Sequence, residues 1–256
     1  MLIVERQARI AELVRQAGAV TTEELAERLD VSIETIRRDL MALDRRGALT
    51  RVHGGAAALS APSAEAEASF DERSASGLEA KQRIARAAAA LVPRGGTIMI
   101  DVGTTALLLA KELADASDVT VVTPSLRAAV ELADRPGITV LVSGGRVRGG
   151  DMALSNATAA RFFDDVYVDV AFLGSGGLDA EAGLTDYYLD EVDVRRVALR
   201  NARHAYVLAD ATKFDHVAPH RVAALSSFTG VVVDEAPTGA LRAALEDADA
   251  AIVMAG

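Results

Sequence analysis

The sequence predicts an α/β protein in which a short helical unit precedes a larger domain built on a mostly parallel sheet. The chain has 256 residues, which is long for one domain and sufficient for two. Half of the residues are apolar and only 4% are aromatic, so the core must consist mainly of aliphatic side chains. Beyond about residue 78, apolar runs alternate with helical patterns, as they do where helices cover both faces of a parallel sheet.

Three short helices and a strand are predicted within the first 57 residues. Residues 5–17 form the first helix, with Ile10, Leu13 and Val14 on one face. Residues 21–24, TTEE, predict the start of a second helix, with a hydroxyl cap and acidic residues in its first turn; this helix ends near Leu29, and Ser32 can cap a third. The third helix carries apolar residues at steps of three and four, which predict one buried stripe of Ile33, Ile36, Leu40 and Leu43. With a strand at 48–52 and a turn at 53–55, this order predicts a winged helix-turn-helix domain.

The remainder of the chain predicts a linker and a second domain. We place the winged helix-turn-helix domain at 1–57, a linker rich in small and polar residues at 58–77, and an α/β sensing domain at 78–256. A helical pattern runs from Leu78 to about Leu91. Further helices are expected at 104–114, 126–134, 155–163, 188–201 and 239–247. Strands are expected at 97–101, 119–123, 138–142, 168–173, 204–209, 229–233 and 250–253.

The solvent-facing side of the third helix is the candidate DNA-reading surface. Arginine can contact guanine or phosphate, and hydroxyl groups can contact phosphate or base edges. The candidate DNA-binding residues are Thr22, Ser32, Glu34, Thr35, Arg37, Arg38, Arg51, His53 and Gly54. Periodicity alone leaves open the alternative of an ordinary solvated helix.

The net charge of −10 belongs to the second part of the chain. Residues 1–60 contain nine arginines and nine acidic residues, so the whole acidic excess lies in residues 61–256. DNA binding depends on local positive patches, and overall acidity therefore does not exclude it.

The N-terminal segment resembles the DeoR family of bacterial regulators. Residues 35–40 have the sequence TIRRDL and residues 49–56 have the sequence LTRVHGGA, both of which match the family's motifs. The resemblance implies that Ser32, Thr35, Arg37 and Arg38 recognise operator DNA and that Arg51 and His53 lie in the wing.

A candidate anion site follows the first strand of the second domain. Gly103 allows close approach of the backbone, and Thr104 and Thr105 add hydroxyl groups to the amides of a helix start. Further turns at 123–125, 143–145, 174–177 and 210–213 follow other strands, at the edge where open α/β sheets bind ligands. Ordinary helix caps and tight turns remain the alternative.

The second domain also resembles the DeoR family, through DVGTT at 101–105, AFLGSGG at 171–177 and DATKF at 210–214. The resemblance implies a fold similar to sugar-phosphate isomerases and a phosphorylated sugar as effector. The candidate effector-binding residues are Asp101, Gly103, Thr104, Thr105, Thr123, Ser125, Gly144, Gly145, Gly176, Asp210 and Lys213. Pro124 and the segment 154–156 depart from the family pattern, which commonly has Asn and Gly there.

Several classes of protein are not expected. The chain has no cysteine, and His53, His204, His216 and His220 show no spacing typical of a metal site, so we expect neither metal nor cofactor. No signal peptide and no apolar run of membrane-spanning length occurs, so we expect a cytoplasmic protein without membrane contact.

These observations together predict a transcriptional regulator, and specifically a repressor of carbohydrate metabolism genes that acts as a homo-oligomer. Operator DNA and a phosphorylated sugar are the expected partners. The alternatives are a sugar-phosphate isomerase or lyase fused to a DNA-binding domain, and a second domain that serves only to oligomerise. No clustered carboxylate motif supports catalysis, so we expect no enzymatic activity.

Overall fold

The computed structural model describes residues 6–7, 9–11, 13–14, 19–45, 49–52, 54–57, 67–113 and 116–256. His53 and residues 46–48, where the sequence analysis placed a turn and the end of the third helix, lie outside them. The chain divides into two compact units, Met1–Ala66 and Glu67–Gly256. The last part of the segment assigned to the linker belongs to the second unit and contains a short helix.

The first unit contains three helices and a small antiparallel sheet among its described residues. Helix α1 is helical at 6–7, 9–11 and 13–14. It is followed by β1 (Ala19–Thr21), α2 (Thr22–Leu29), α3 (Ile33–Arg45), β2 (Thr50–Val52) and β3 (Gly55–Ala57). Strand β3 is central and pairs with both β1 and β2. The order of helices is the predicted one, whereas β1 and β3 were not predicted.

Local hydrogen bonds explain where α2 and α3 begin. Thr21 and Glu24 form a capping box, in which each side chain accepts the other residue's amide. Asp30 ends α2 in a left-handed conformation with φ of 52°. Ser32 Oγ then accepts the Thr35 amide at 3.2 Å, so Ser32 is the predicted cap of α3.

The core of the first unit follows the predicted stripes with one exception. Ile10, Val14, Ile36, Leu40 and Leu43 are buried. The prediction that Ile33 belongs to this stripe was wrong, since 39% of it is exposed. Ile33 is the first residue of α3, and the core of the unit does not reach this end of the helix.

The second unit contains helices α4 to α10 and strands β4 to β15. The helices are α4 (Phe70–Ala75), α5 (Leu78–Ala89), α6 (Thr104–Glu112), α7 (Leu126–Leu132), α8 (Ala157–Asp164), α9 (Leu189–Arg200) and α10 (Gly239–Asp247). The strands are β4 (Thr97–Ile100), β5 (Val119–Thr123), β6 (Ile138–Val142), β7 (Arg146–Arg148), β8 (Ala153–Ser155), β9 (Val168–Leu173), β10 (Gly177–Asp179), β11 (Gly183–Asp186), β12 (Ala202–Ala209), β13 (His220–Ala223), β14 (Gly230–Val233) and β15 (Ala251–Met254).

The central sheet has seven strands in the order β15-β14-β12-β9-β4-β5-β6, and every neighbouring pair is parallel. The prediction of an α/β protein with a mostly parallel sheet is therefore confirmed. Two smaller antiparallel sheets, β7-β8 and β10-β11-β13, were not predicted. Their strands have only three or four residues, too few for a period of two to stand out.

Helices cover both faces of the central sheet, as the buried residues of the strands demonstrate. Ile98 and Ile100 of β4 pack in one core with residues of α5, α6 and α7. Met99, which lies between them, packs in the other core with residues of α8, α9 and α10. This alternation is that of a strand buried on both sides.

The described residues offer neither a membrane-spanning helix nor a cluster of metal-binding side chains. None of their helices is long and apolar enough to cross a membrane. They also contain no group of three or more histidine or acidic side chains arranged to hold a metal ion.

Candidate functional site

The first half of α3 presents two exposed arginines and two hydroxyl groups. The side chains of Arg37 and Arg38 are 59% and 75% exposed. Glu34 lies 3.9 Å from Arg37 and 3.8 Å from Arg38, and ion pairs this exposed contribute little. Ser32 Oγ and Thr35 Oγ1 are 2.9 Å apart. The two arginines are therefore accessible to a DNA backbone or a base edge.

Thr22 and Gly54 connect α2 to the turn between β2 and β3. The amide and the hydroxyl group of Thr22 both donate to the Gly54 carbonyl, at 2.9 and 3.1 Å. Thr22 is buried, and Gly54 has a φ of 85°, which favours glycine. The amide and the hydroxyl group of Thr22 are thus both bonded within the first unit. Arg51 lies in β2, but its side chain and His53 are outside the described residues.

The loop from β4 to α6 forms one wall of a cavity in the second unit. Gly103 precedes α6 with a φ of 115°, and its carbonyl accepts the first helical bond, from Leu107 N at 3.0 Å. The amides of residues 104–106 come before this bond and lack a helical acceptor. Thr104, Thr105 and Ala106 line the cavity, which has about 520 Å³ of space including its open mouth. A helix start of this kind favours an anion.

Charged side chains dominate the rest of the cavity wall. The carboxylates are Glu67, Asp151, Asp186, Glu191 and Asp210, and the cations are Arg73, Lys81, Arg195 and Lys213. Most of these groups are paired with one another, so the wall of the cavity is a network of ion pairs.

Arg195, on α9, is buried between two carboxylates. Its Nε donates to Asp101 Oδ2 at 2.5 Å, and its Nη1 lies 2.6 Å from Asp186 Oδ2, at an angle that does not make a hydrogen bond. The Gly174 amide also donates to Asp101, at 2.9 Å. Burial raises the pKa of Asp101, and the positive charge of Arg195 only partly offsets this effect. Asp101 thus holds the β9 end of the cavity in place.

Arg73, on α4, connects two other carboxylates of the wall. Its guanidinium lies 3.1 Å from Glu67 and 2.6 Å from Asp151. Arg148 in turn contacts Asp151 at 3.0 Å and Glu191 at 2.5 Å. Burial raises the pKa of Glu67 to about 7 and also raises the pKa of Glu191.

Two lysines face the cavity near the end of β12. Lys81 Nζ donates to the carbonyls of Arg73 and Ser76, both at 2.6 Å, and lies 4.0 Å from Asp210. Burial lowers the pKa of Lys81. Lys213 also lines the cavity, and among the described residues it has no carboxylate within 4.0 Å. It is therefore a lining cation that is available to a ligand.

The structure brings together some of the predicted effector-binding residues. Gly103, Thr104, Thr105, Asp210 and Lys213 line the cavity. Asp101 adjoins it through Arg195.

Other predicted effector-binding residues are not among those that line the cavity. Thr123 donates to the Ile100 carbonyl at 2.6 Å, and Ser125 caps α7. Gly144 and Gly145 form a turn with positive φ, and Gly176 packs beside Asp186. The roles of these five residues in ligand binding stay predictions.

Sequence reasoning missed the ion-pair network. It did not assign Glu67, Asp151, Asp186, Glu191 or Arg195 to the site. The spacing of Glu191 and Arg195, one helical turn apart on α9, could have indicated them, because this spacing places two charges on a helix face that is buried. Arg73 and Lys81 were not assigned to the site either, because nothing in the sequence pattern indicated their role.

An exposed helix with two arginines in one unit and a charged, polar cavity at a helix start in the other are features of one class of protein, the ligand-responsive transcription regulator. A family model described as "DeoR-like helix-turn-helix domain" matches residues 6–61, and one described as "DeoR C terminal sensor domain" matches residues 76–235. The chain belongs to the DeoR family of transcriptional regulators.

Curated relatives resemble the chain over almost its whole length. The glycerol-3-phosphate regulon repressor of Escherichia coli (strain K12) is 34% identical over 95% of each chain. The HTH-type transcriptional regulator GolR of Listeria innocua is 35% identical over 100% of each chain. The HTH-type transcriptional repressor CsqR of Escherichia coli is 32% identical over 97% of this chain and 94% of the relative. The names favour the predicted regulator over the alternative of an enzyme.

Solved structures resemble the chain only distantly. Ribose 5-phosphate isomerase A from Methanocaldococcus jannaschii has a TM-score of 0.39 and 21% identity, over 54% of this chain and 55% of that one. A translation initiation factor eIF-2B from Pyrococcus horikoshii OT3 has a TM-score of 0.43 and 13% identity, over 88% and 81% of the two chains.

Proposed function

We propose that this protein is a repressor of carbohydrate metabolism genes whose binding to operator DNA is weakened by a phosphorylated sugar. The observation that carries the proposal is the cavity beside the start of α6. There the first amides of the helix and Lys213, which has no carboxylate within 4.0 Å among the described residues, share one polar space. The names of the relatives, among them a glycerol-3-phosphate regulon repressor, support a phosphorylated small molecule as the ligand.

The ligand's phosphate group binds at the start of α6. The amides of Thr104 and Thr105 donate to its oxygens, and Lys213 supplies a positive charge. The charged wall around Asp210 and Arg195 faces the remainder of the ligand. Carboxylates and guanidinium groups there suit the hydroxyl groups of a sugar, which both donate and accept hydrogen bonds.

The DNA-binding unit acts through α3. Arg37 and Arg38 contact phosphates or guanine, and Ser32 and Thr35 contact the backbone at the start of the helix. Two copies of α3 in a homo-oligomer bind two half-sites, which raises affinity and fixes their spacing. Ligand binding favours an arrangement with a different spacing and costs about 1–3 kcal/mol of operator affinity, which is about 5- to 150-fold.

The test is binding of the purified full-length chain to the DNA upstream of its own gene, at fixed salt, with and without a panel of phosphorylated sugars. We expect one compound to weaken the specific complex. A Lys213→Ala variant is the matched control, which should bind the same DNA and lose the response. A specific complex that no compound changes would contradict the proposed sensing, and no specific complex would contradict the proposed repressor.

A further inference from the structure

The cavity contains more negative than positive side chains. Five carboxylates and four cations line it, and Arg73, Lys81 and Arg195 lie within 4.0 Å of carboxylates. A phosphate monoester carries about −1.5 to −2 charges at neutral pH. A phosphorylated ligand therefore meets a lining with a net negative charge, which becomes neutral if one of the five carboxylates withdraws or takes up a proton.

Arginines of β7 and of α4 hold two of the five carboxylates. Asp151 contacts both Arg73, at 2.6 Å, and Arg148, at 3.0 Å. Glu191 lies on α9 and accepts from Arg148 at 2.5 Å. Displacing either would break contacts between secondary-structure elements.

Two others are held by backbone amides as well as by charges. Asp186 accepts from the Tyr187 amide at 2.7 Å and contacts Arg195 at 2.6 Å. Asp210 accepts from the Thr212 amide at 3.1 Å and begins a short 3-10 helix. Both are therefore fixed by their own segments of chain.

Glu67 differs from these four. Among the described residues, Arg73 is its ion-pair partner, at 3.1 Å, although the Glu67 side chain is only 11% exposed. It lies on neither a helix nor a strand and is the first residue of the second unit, directly after Ala66, where the first unit ends. Burial raises its pKa to about 7, so the protein holds this charge at a cost.

We propose that Glu67 is an internal anion, which occupies the guanidinium of Arg73 while the cavity is empty. The phosphate group of the ligand, bound at the start of α6 in the cavity that Arg73 also lines, displaces it. This inference rests on the proposed function and adds the step by which occupancy reaches the rest of the chain. Displacement of Glu67 frees the chain where the sensing unit begins, next to the segment that leads to the DNA-binding unit.

The test measures the affinity of the full-length protein for inorganic phosphate by calorimetry at constant ionic strength. We compare the wild type with Glu67→Gln and with Glu79→Gln, a control that removes the same charge from an exposed position of α5. Removal of the competitor should make Glu67→Gln bind phosphate about tenfold more tightly at about pH 8, which corresponds to about 1.4 kcal/mol. Glu79→Gln should match the wild type.

The ratio of the two affinities should fall toward one as the pH drops to about 5.5, because Glu67 is then protonated in the wild type. The charged or titratable groups around it are Arg73, Asp151, Asp186, Arg195, Tyr187 and Tyr188. These groups are present in all three proteins, so the ratio isolates Glu67.

Equal or weaker phosphate binding by Glu67→Gln would overturn the inference, since Glu67 would then be neutral or part of the binding site. Binding to none of the proteins would overturn it as well. A second variant, Glu67→Ala, must give the same order of affinities. If Glu67→Gln binds phosphate more tightly but no sugar phosphate changes operator binding, the inference stands and the proposed function fails.

Discussion

Arg195 shows how one residue couples the stability of the sensing unit to its ligand site. It is 3% exposed and lies between Asp101 and Asp186, so each of the three charges depends on the others. These three charges do not make the region more stable than an apolar core would, because burial of charges is costly. Removal of the cation alone, however, leaves two carboxylates buried without compensation.

We therefore predict that Arg195→Met lowers the free energy of unfolding by about 3–5 kcal/mol at about pH 8. Without the guanidinium, the pKa of Asp101 rises further above its unfolded value. The penalty is present while Asp101 is ionised, and it decreases as the pH falls through the folded pKa. Urea unfolding at about pH 8 and pH 5 measures both effects.

The control for this prediction is on the same helix. Arg200 is 63% exposed and lies 3.4 Å from Asp164, so Arg200→Met should change the free energy of unfolding by less than about 1 kcal/mol. Similar losses for the two variants, or a loss at Arg195 that does not depend on pH, would contradict the proposed role of the buried charges.

Single residues also show why part of the site could not be predicted. Asn156 lies in the segment 154–156, and the structure gives it a φ of 91°, a conformation that favours glycine. Its side chain accepts the Thr158 amide at 2.8 Å and so caps α8. The backbone conformation at this position is a property that the residue type alone does not reveal.

At the scale of elements, α3 concentrates the candidate DNA-binding residues on one exposed surface. Arg37 and Arg38 lie on the side opposite the buried Ile36 and Leu40, and Asp39 is kept from solvent by Arg6, whose Nε donates to it at 2.6 Å. One side of the helix thus packs against the unit, while its other side is exposed to solvent.

We predict that Arg37→Ala and Arg38→Ala each weaken specific operator binding by about 1–3 kcal/mol, which is about 5- to 150-fold. If the substituted arginine contacts only phosphate, its removal should also lower the salt dependence of DNA binding by about one counterion. Binding titrations at several salt concentrations separate the two modes. Arg200→Ala, in the second unit, serves as a control of equal charge, and an equal loss there would mean that only net charge matters.

Several elements have the limits that their apolar patterns in the sequence predict. Strands β5, β6 and β9 have the predicted limits, and α10 does as well. The two small sheets were not predicted because each of their strands contributes only three or four residues. The hairpin β7-β8 carries Arg148 and leads to Asp151, so the missed elements also supplied missed parts of the site.

At the scale of the whole molecule, the chain has separate cores for its two tasks. Ile10, Leu25 and Leu40 belong to a core of the first unit alone. The two cores of the second unit contain only residues beyond Ala66. Because each unit buries its own apolar residues, we expect the units to unfold in separate transitions.

This separation predicts how the ligand changes thermal unfolding. Inorganic phosphate at about 100 times its dissociation constant should stabilise the second unit by about 2.7 kcal/mol, since a ligand that binds only the folded state raises its stability. For a unit of this size the transition should rise by about 5–10 °C, while that of the first unit should not move. Operator DNA should raise the other transition. Scanning calorimetry of the full chain measures both, and Lys213→Ala should lose only the shift caused by phosphate. A single transition that both ligands raise would contradict separate cores, and it would mean that the two units transmit ligand binding by folding as one.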